Sequence, residues 1–279
     1  MRRLTVKPLL LPLLLGFAVV TPSAVASDAF LVGFFAYGKS SGCHYALWHS
    51  DTLLFNTRAV PATIRLLGVS NGPLLPDAPS SVTVAPREVA SVLRRARSWA
   101  PSGAYSGYSI WVVHVDIPDG VVIESRDEVS YIDACLPEPQ VISTAKISLP
   151  IFRSLVAPNT AQVKLGTDVG STPARQNVAI FNGGIDVATA TIEVHAACDG
   201  ALMATTSVSI PANTIVQVGG LTTGIHECLT GTLDYVRYCV ITVDQPSFAY
   251  VSGVTETQPT SIDDLVPLVE LAISSSQEF

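Results

Sequence analysis

The densest group of reactive side chains in this sequence is His226-Glu227-Cys228, where an imidazole, a carboxylate and a thiol are adjacent. With Cys198 or Cys239 as a further ligand, this set has the donor types of a zinc site. The paired C-x-x-C or H-x-x-x-H spacings that typify such sites are absent. We therefore expect no metal site, and a structural or incidental role for these residues.

Nucleophilic catalysis is the second chemistry to consider. Residues 103–107 (GAYSG) place Ser106 one position out of register with the G-x-S-x-G nucleophile motif. Asp116 and Asp119 lie around a predicted turn, which already explains both carboxylates. Triads are recognised by geometry rather than chain order, so a dispersed Ser-His-Asp set stays open. No nucleotide-binding glycine motif occurs. We expect no catalytic residues, no cofactor and a protein that is not an enzyme.

The N-terminus predicts the compartment. Three basic residues precede an apolar run at 9–20, and residues 24–26 (AVA) form a small-residue cleavage site. This order is that of a secretory signal peptide, removed after Ala26 so that the mature chain begins at Ser27. We therefore expect a secreted or periplasmic protein. No later apolar stretch approaches 18 residues, so no transmembrane span is expected after cleavage.

Composition restricts the partners. The chain has 279 residues, a formal net charge of −7, 48% hydrophobic residues and 14% charged residues. Such a chain has enough apolar side chains to build a core. Its acidic charge repels phosphate backbones, so we expect no nucleic-acid partner.

The elements that must position any site are strands. Short runs rich in Val, Ile, Thr, Phe and Tyr alternate with Gly, Pro, Asn and Asp clusters, which indicates an all-β chain. Residues 191–196 alternate polar and apolar side chains, and Asp199-Gly200 then predicts a hairpin. Residues 87–99 are the clearest helical candidate.

The sequence also contains an internal repeat. Residues 50–56 (SDTLLFN) align with 176–182 (QNVAIFN) at an offset of 126, and 111–118 (WVVHVDIP) with 239–246 (CVITVDQP) at an offset of 128. The second alignment matches Trp111 with Cys239. Two landmarks at nearly equal spacing predict duplication of one unit.

Four segments of the second repeat carry a family resemblance: 175–182 (RQNVAIFN), 188–192 (ATATI), 210–213 (IPAN) and 248–252 (FAYVS). They resemble tandem immunoglobulin-like β-sandwich modules of exported bacterial proteins of unassigned function, and residues 47–51 and 55–56 do so in the first repeat. The resemblance implies two tandem immunoglobulin-like β-sandwich domains and transfers no catalytic residue.

The predicted organisation follows from this repeat and from Pro137 and Pro139, which favour an extended connector. We predict the following segments: a signal peptide at 1–26, a first domain at 27–136, a linker at 137–140, a second domain at 141–267 and a C-terminal tail at 268–279.

The five cysteines are expected to be mostly oxidised in an exported protein. Cys43 and Cys135 bracket the first repeat, and the first and last strands of a sandwich are commonly neighbours, so we predict a bridge between them. In the second repeat we predict a Cys198–Cys239 bridge that leaves Cys228 as a free thiol. A Cys198–Cys228 bridge is the alternative.

For function, we predict a non-enzymatic binding, adhesion or cell-envelope structural module. Loops at the ends of sandwiches readily carry recognition. The predicted binding residues are Trp99, Tyr105 and Tyr108, within an aromatic segment rich in Gly and Ser. The alternative for Trp99 is a place in the core. A glycan or a cell-envelope protein is the expected partner. The alternative function, a two-domain periplasmic chaperone for fibre subunits, requires a basic pair that the sequence does not place.

Overall fold

The computed structural model of the chain describes residues 27–41, 44–73, 78–91, 99, 108–135, 137–138, 140–165, 174–219, 221, 226–228, 231, 233–234, 236–255 and 269–273. Within these residues the structure is built from strands and contains no α-helix, so the predicted all-β class is confirmed. The predicted helix at 87–99 is wrong at its start. Arg87 lies in a turn with a φ of 60°, and Val89–Ser91 form a strand.

The strands of the first half of the chain are β1 (Ser27–Ser41), β2 (His44–Asn56), β3 (Ala62–Val69), β4 (Ser81–Val84), β5 (Val89–Ser91), β6 (Tyr108–Ile117), β7 (Val121–Asp133), β8 (Gln140–Leu149) and β9 (Ile151–Phe152). Those of the second half are β10 (Ala161–Leu165), β11 (Ala174–Asn182), β12 (Ala188–Ala196), β13 (Leu202–Ile210), β14 (Thr214–Val218), β15 (His226–Glu227), β16 (Leu233–Asp234), β17 (Arg237–Val243), β18 (Ser247–Thr255) and β19 (Val269–Ile273). In β12 and β17 every second residue is buried, as expected when one face of a strand covers a core.

Both halves of the chain have the same strand order. One antiparallel sheet runs β4-β3-β6-β1 in the first half and β13-β12-β17-β10 in the second. The other runs β5-β2-β7-β8 in the first half and β14-β11-β18-β19 in the second. In the first half β1 also pairs with β2 and joins the two sheets. We call β1–β9 the first unit and β10–β19 the second unit.

The register of the pairing is also the same, at an offset of 126 residues. In the described part of each unit a buried asparagine, Asn56 or Asn182, stands at the end of the second strand. The side-chain amide of each donates to three carbonyl oxygens and so ties the turn that follows it to the end of a neighbouring strand. The acceptors are Val60, Val84 and Ala85 in the first unit, and Asp186, Ile210 and Pro211 in the second.

The predicted offset of 128 between β6 and β17 is wrong by two residues. The hydrogen bond from Thr57 N to Gly120 O in the first unit recurs from Gly183 N to Pro246 O in the second, which is again an offset of 126. Trp111 therefore corresponds to Arg237, not to Cys239. A shift of two residues keeps every side chain on the same face of a strand, so the apolar pattern could not detect it.

The two sheets of each unit enclose an apolar core. The first core includes Leu31, Leu54, Ile64, Trp99 and Trp111, and the second includes Ile180, Ile192, Cys239, Ile241 and Val251. Burial of one such large side chain contributes about 1.5–3 kcal/mol. Trp111 packs directly on the backbone of β1, because a Cβ at Gly33 would lie 2.1 Å from the indole.

The strand pairing differs from the predicted boundaries. The predicted linker at 137–140 leads into β8, which pairs with β7 along most of its length, and β9 pairs with β1. The proline-rich segment therefore connects two neighbouring strands, and the chain leaves the first unit only after Phe152. In the predicted tail, Val269–Ile273 form β19 and pair with β18.

Candidate functional site

The most extensive feature outside the two cores is a third apolar cluster, which lies between the units. The first unit contributes Phe30, Val32, Ile110, Val112 and also Phe152 of β9; the second contributes Ala179, Phe181, Ile215, Phe248 and Tyr250. The outer face of the β1 and β6 sheet thus packs on the outer face of the β11, β14 and β18 sheet. We call this contact the junction. It makes β1 and β6 buried on both faces.

Aromatic rings dominate the junction. The ring of Phe248 is stacked on that of Phe152, with centroids 3.8 Å apart and planes inclined by 12°. The rings of Phe181 and Phe30 lie 5.0 Å and 6.0 Å from Phe248. Such pairs contribute about 0.5–1.5 kcal/mol each beyond the burial of their area, so they stabilise the contact between the units.

Two asparagines with a left-handed backbone conformation connect the units, because their side chains form hydrogen bonds with the backbone of the other unit. Asn71 Nδ2 donates to Ile215 O at 2.9 Å, and its Oδ1 accepts from Ile215 N at 2.8 Å. In the other direction, Asn213 Nδ2 donates to Val69 O at 2.9 Å. The φ angles of Asn71 and Asn213 are 63° and 49°, which asparagine adopts more readily than most residues. Asn71 thereby covers part of the free edge of β14.

A cavity of about 280 Å³ opens beside the junction. Its lining residues are Phe30, Leu67, Gly68, Val69, Val112, His114, Leu155, Phe181, Gly183 and Asn213. The imidazole of His114 is stacked on Phe30 with centroids 4.3 Å apart. Its Nε2 lies 3.3 Å from Asp28 Oδ2, an ion-pair distance when the ring is protonated. This volume is near the lower limit for ligand pockets, about 300 Å³.

The structure separates the three predicted binding residues. Trp99 is fully buried in the first core, and its indole Nε1 donates to Pro79 O at 2.6 Å. The prediction that Trp99 is a surface anchor is wrong, because its ring is a core residue with a satisfied polar group. Tyr105 lies outside the described residues.

Tyr108, the third of these residues, is at the rim of the junction. It begins β6 with 58% of its surface exposed. Its ring meets Phe34 edge-on, with centroids 5.5 Å apart, and its hydroxyl donates to Gln217 Oε1 of the second unit. Tyr108 therefore contacts both units, and more than half of its surface is exposed.

The cysteines of the second unit pair differently from the prediction. Cys198 forms a disulfide with Cys228, so Cys228 is not a free thiol and the Cys198–Cys239 bridge is wrong. Alternation in β17 turns Cys239 into the second core, where it is a buried free thiol, whereas Cys198 lies in the turn beyond β12. Burial raises the pKa of Cys239 to about 11. Cys135 is disulfide-bonded, and its predicted partner, Cys43, lies outside the described residues.

The disulfide also removes Cys198 and Cys228 from the set of metal ligands considered above, since a bonded sulfur is no longer a thiolate. No group of three or more His, Cys, Asp or Glu side chains is placed to hold a metal ion within the described part of the chain.

Sequence reasoning missed the buried polar groups, among them the carboxyl of Asp127. Asp127 of β7 points into the first unit, where Ser50 Oγ donates to its Oδ1 at 2.5 Å and itself accepts from Phe34 N at 2.6 Å. Burial raises the pKa of Asp127 to about 7, although the Ser50 hydrogen bond opposes the shift. Both side chains are almost inaccessible to solvent, so this pair fastens β1 to β2 and β7 rather than meeting a substrate. Residues 50–52 and 125–127 are polar and include positions where a core side chain is expected. This pattern was the signal from which the buried pair could have been predicted.

Searches of protein-family models, of curated proteins and of solved structures find no match to this chain. None of the described residues forms a helix of the length and apolarity needed to cross a membrane.

Proposed function

We propose that this protein is an exported, non-enzymatic binding or cell-envelope structural module. The export half rests on the signal-peptide pattern of residues 1–26, and the oxidised Cys198–Cys228 pair is what an oxidising compartment produces. The binding half rests on Tyr108. A largely exposed aromatic ring that is already held by contacts with both units needs little ordering when a ligand packs on its exposed surface.

We also propose that each unit is a rearranged immunoglobulin-like sandwich. In immunoglobulin domains an A-B-E-D sheet faces a C-F-G sheet. The order β7-β2-β5 fits A-B-E, and β3-β6-β1 fits C-F-G with β4 added beside C, if β1 takes the place usually held by the last strand and β7 that of the first. The equivalent orders in the second unit fit in the same way.

Recognition of a glycan or a cell-envelope protein at the Tyr108 rim agrees better with these features than the chaperone alternative. A chaperone of that kind needs a basic pair in its interdomain cleft to anchor a carboxylate. Among the described residues, those that line the cavity beside the junction include neither Lys nor Arg.

The test is binding of the full exported chain to a panel of immobilised glycans and to purified envelope proteins. Tyr108→Ala should lose binding by tenfold or more, since loss of an aromatic anchor typically costs about 2 kcal/mol. Tyr37→Ala is the matched control, because Tyr37 is also an exposed tyrosine, stacked on Tyr45. Tyr108→Phe retains the ring and removes only its hydroxyl bond to Gln217.

Equal binding by wild type and Tyr108→Ala would refute recognition at this rim. Turnover of a glycan, ester or peptide by the purified chain would refute the non-enzymatic assignment, provided that a single Ser or acidic substitution abolished it.

A further inference from the structure

The face that the second unit presents at the junction has a counterpart on the first unit. At the junction Phe181 lies between its cross-strand neighbours Ile215 and Phe248, and all three are buried. The offset of 126 residues places Phe55 between Val89 and Val122, in the same pairing register. These three side chains are 37%, 55% and 56% exposed. The first unit therefore has an uncovered apolar face at the position where the second unit has a buried one.

The opposite face is duplicated as well. At the junction the first unit presents Phe30 beside His114 on β1 and β6. The second unit pairs Val163 with Val240 at the equivalent positions of β10 and β17. Val163 is 53% exposed. On the same face Tyr238 is stacked on His195 with ring centroids 5.0 Å apart. The second unit thus has an uncovered face that is equivalent to the one that the first unit buries at the junction.

We propose that copies of this chain associate head to tail. We call Phe55 with Val89 and Val122 the Phe55 face, and Val163 with Val240 and Tyr238 the Val163 face. The Phe55 face of one copy packs on the Val163 face of the next, in the same sheet-on-sheet arrangement that joins the two units within the chain. The occupant is a second copy of the chain. At the junction, the face equivalent to the Phe55 face packs on the Phe30 side of β1 and β6, and every copy carries a face of that second kind. That face of its own first unit is already covered, so the copy offers the equivalent face of its second unit.

This contact is heterologous, and repetition of it builds an open filament or a closed ring rather than a symmetric dimer. Valines at 89, 122 and 163 stand where the junction has Ile215, Phe248 and Phe30, and Glu124 stands where it has Tyr250, so each contact buries less apolar area than the junction. The two units are also joined by the chain, which raises their effective concentration. The association is therefore weaker than the junction, reversible and dependent on concentration. This inference goes beyond the proposed function and does not depend on what Tyr108 binds.

Sedimentation velocity of the full exported chain, from about 1 μM to about 1 mM, tests the proposal. The wild-type weight-average sedimentation coefficient should rise with concentration. Phe55→Glu and Val163→Glu should each remain monomeric, because a carboxylate in the contact would be buried unpaired. Val141→Glu is the control, since Val141 is equally exposed and pairs near the far end of β7 from Val122, and it should assemble like wild type.

An equimolar mixture of Phe55→Glu and Val163→Glu gives the decisive result. Each variant retains one intact face, and these two faces are complementary, so the mixture should form dimers and nothing larger. The proposal is overturned if wild type is monomeric over the whole range, or if the mixture contains no dimer. Assembly by Val163→Glu alone would indicate a symmetric contact and would also overturn it. Should either variant lose cooperative unfolding, Phe55→Ser and Val163→Thr replace them, with the same outcomes required.

Discussion

The carboxyl group of Asp127 should give the folded chain a pH dependence that Asp127→Asn removes. In the folded state this carboxyl is buried against Ser50, and its pKa is raised from an ordinary 3.8 to about 7. Between those two values the folded chain retains a proton that the unfolded chain has lost. The stabilising contribution of the protonated group is therefore complete below pH 3.8 and declines until the pH passes about 7.

The size of the effect follows from the two pKa values. A difference of about 3 in pKa corresponds to about 4 kcal/mol, and to a slope of about 1.4 kcal/mol per pH unit between the two values. Asparagine is neutral at every pH and keeps an oxygen that can accept the hydrogen bond from Ser50. Asp127→Asn should thus be close to wild type in stability at pH 4 and more stable by up to about 4 kcal/mol at pH 8.

Urea unfolding followed by far-UV circular dichroism from pH 4 to pH 9 measures this difference. Subtracting the wild-type free energy of unfolding from that of the variant cancels the titration of other groups. Asp119→Asn, in the exposed β6–β7 turn, is the matched control for the loss of an exposed carboxyl group. A flat difference for Asp127→Asn, or a variant less stable than wild type at pH 8, would refute the reasoning.

Two further predictions concern the junction and the cysteines. Phe248→Ala should lower the free energy of unfolding by about 3–5 kcal/mol because it opens a cavity between the units. The equivalent change in the first unit, Val122→Ala, should alter it by no more than about 0.5 kcal/mol, and similar effects in urea unfolding would contradict the burial of Phe248. Thiol labelling of the unreduced, denatured chain should modify Cys239 and not Cys228, as mapped by peptide mass spectrometry. In the native chain Cys239 should react far more slowly, since its thiol is buried and its pKa is raised to about 11, and fast native labelling would contradict that burial.

Much of the fold is local in origin and could be predicted. The alternation in residues 191–196 becomes the one-sided burial of β12, because successive side chains of a strand point to opposite faces. The repeat was visible because Asn56 and Asn182 follow apolar runs of similar pattern, and both carry the same hydrogen bonds in the structure. The register between β6 and β17 was harder to predict. An alignment of Trp111 with Cys239 keeps each side chain on the same face of its strand, and so does the correct alignment of Trp111 with Arg237.

Disulfide pairing depended on distances that the sequence does not contain. Cys198, Cys228 and Cys239 all lie in one repeat, and separation along the chain does not distinguish their pairs. The fold places Cys239 in a core strand and brings Cys228 to the turn that holds Cys198. Likewise, the sequence does not distinguish Asp127 from the other acidic residues. Its environment depends on the folded chain, where Ser50 links it to β1 and water is excluded.

The sequence by itself determined the period of the strands, the duplication and the class of fold, because these depend on neighbours within one strand or one turn. Which outer face of each unit meets another sheet was decided only by tertiary structure. Phe55 and Phe181 each stand just before the buried asparagine of their unit. One is nevertheless partly exposed and the other is buried at the junction, because a side chain that points away from its own core is covered only if a segment remote in sequence packs over it.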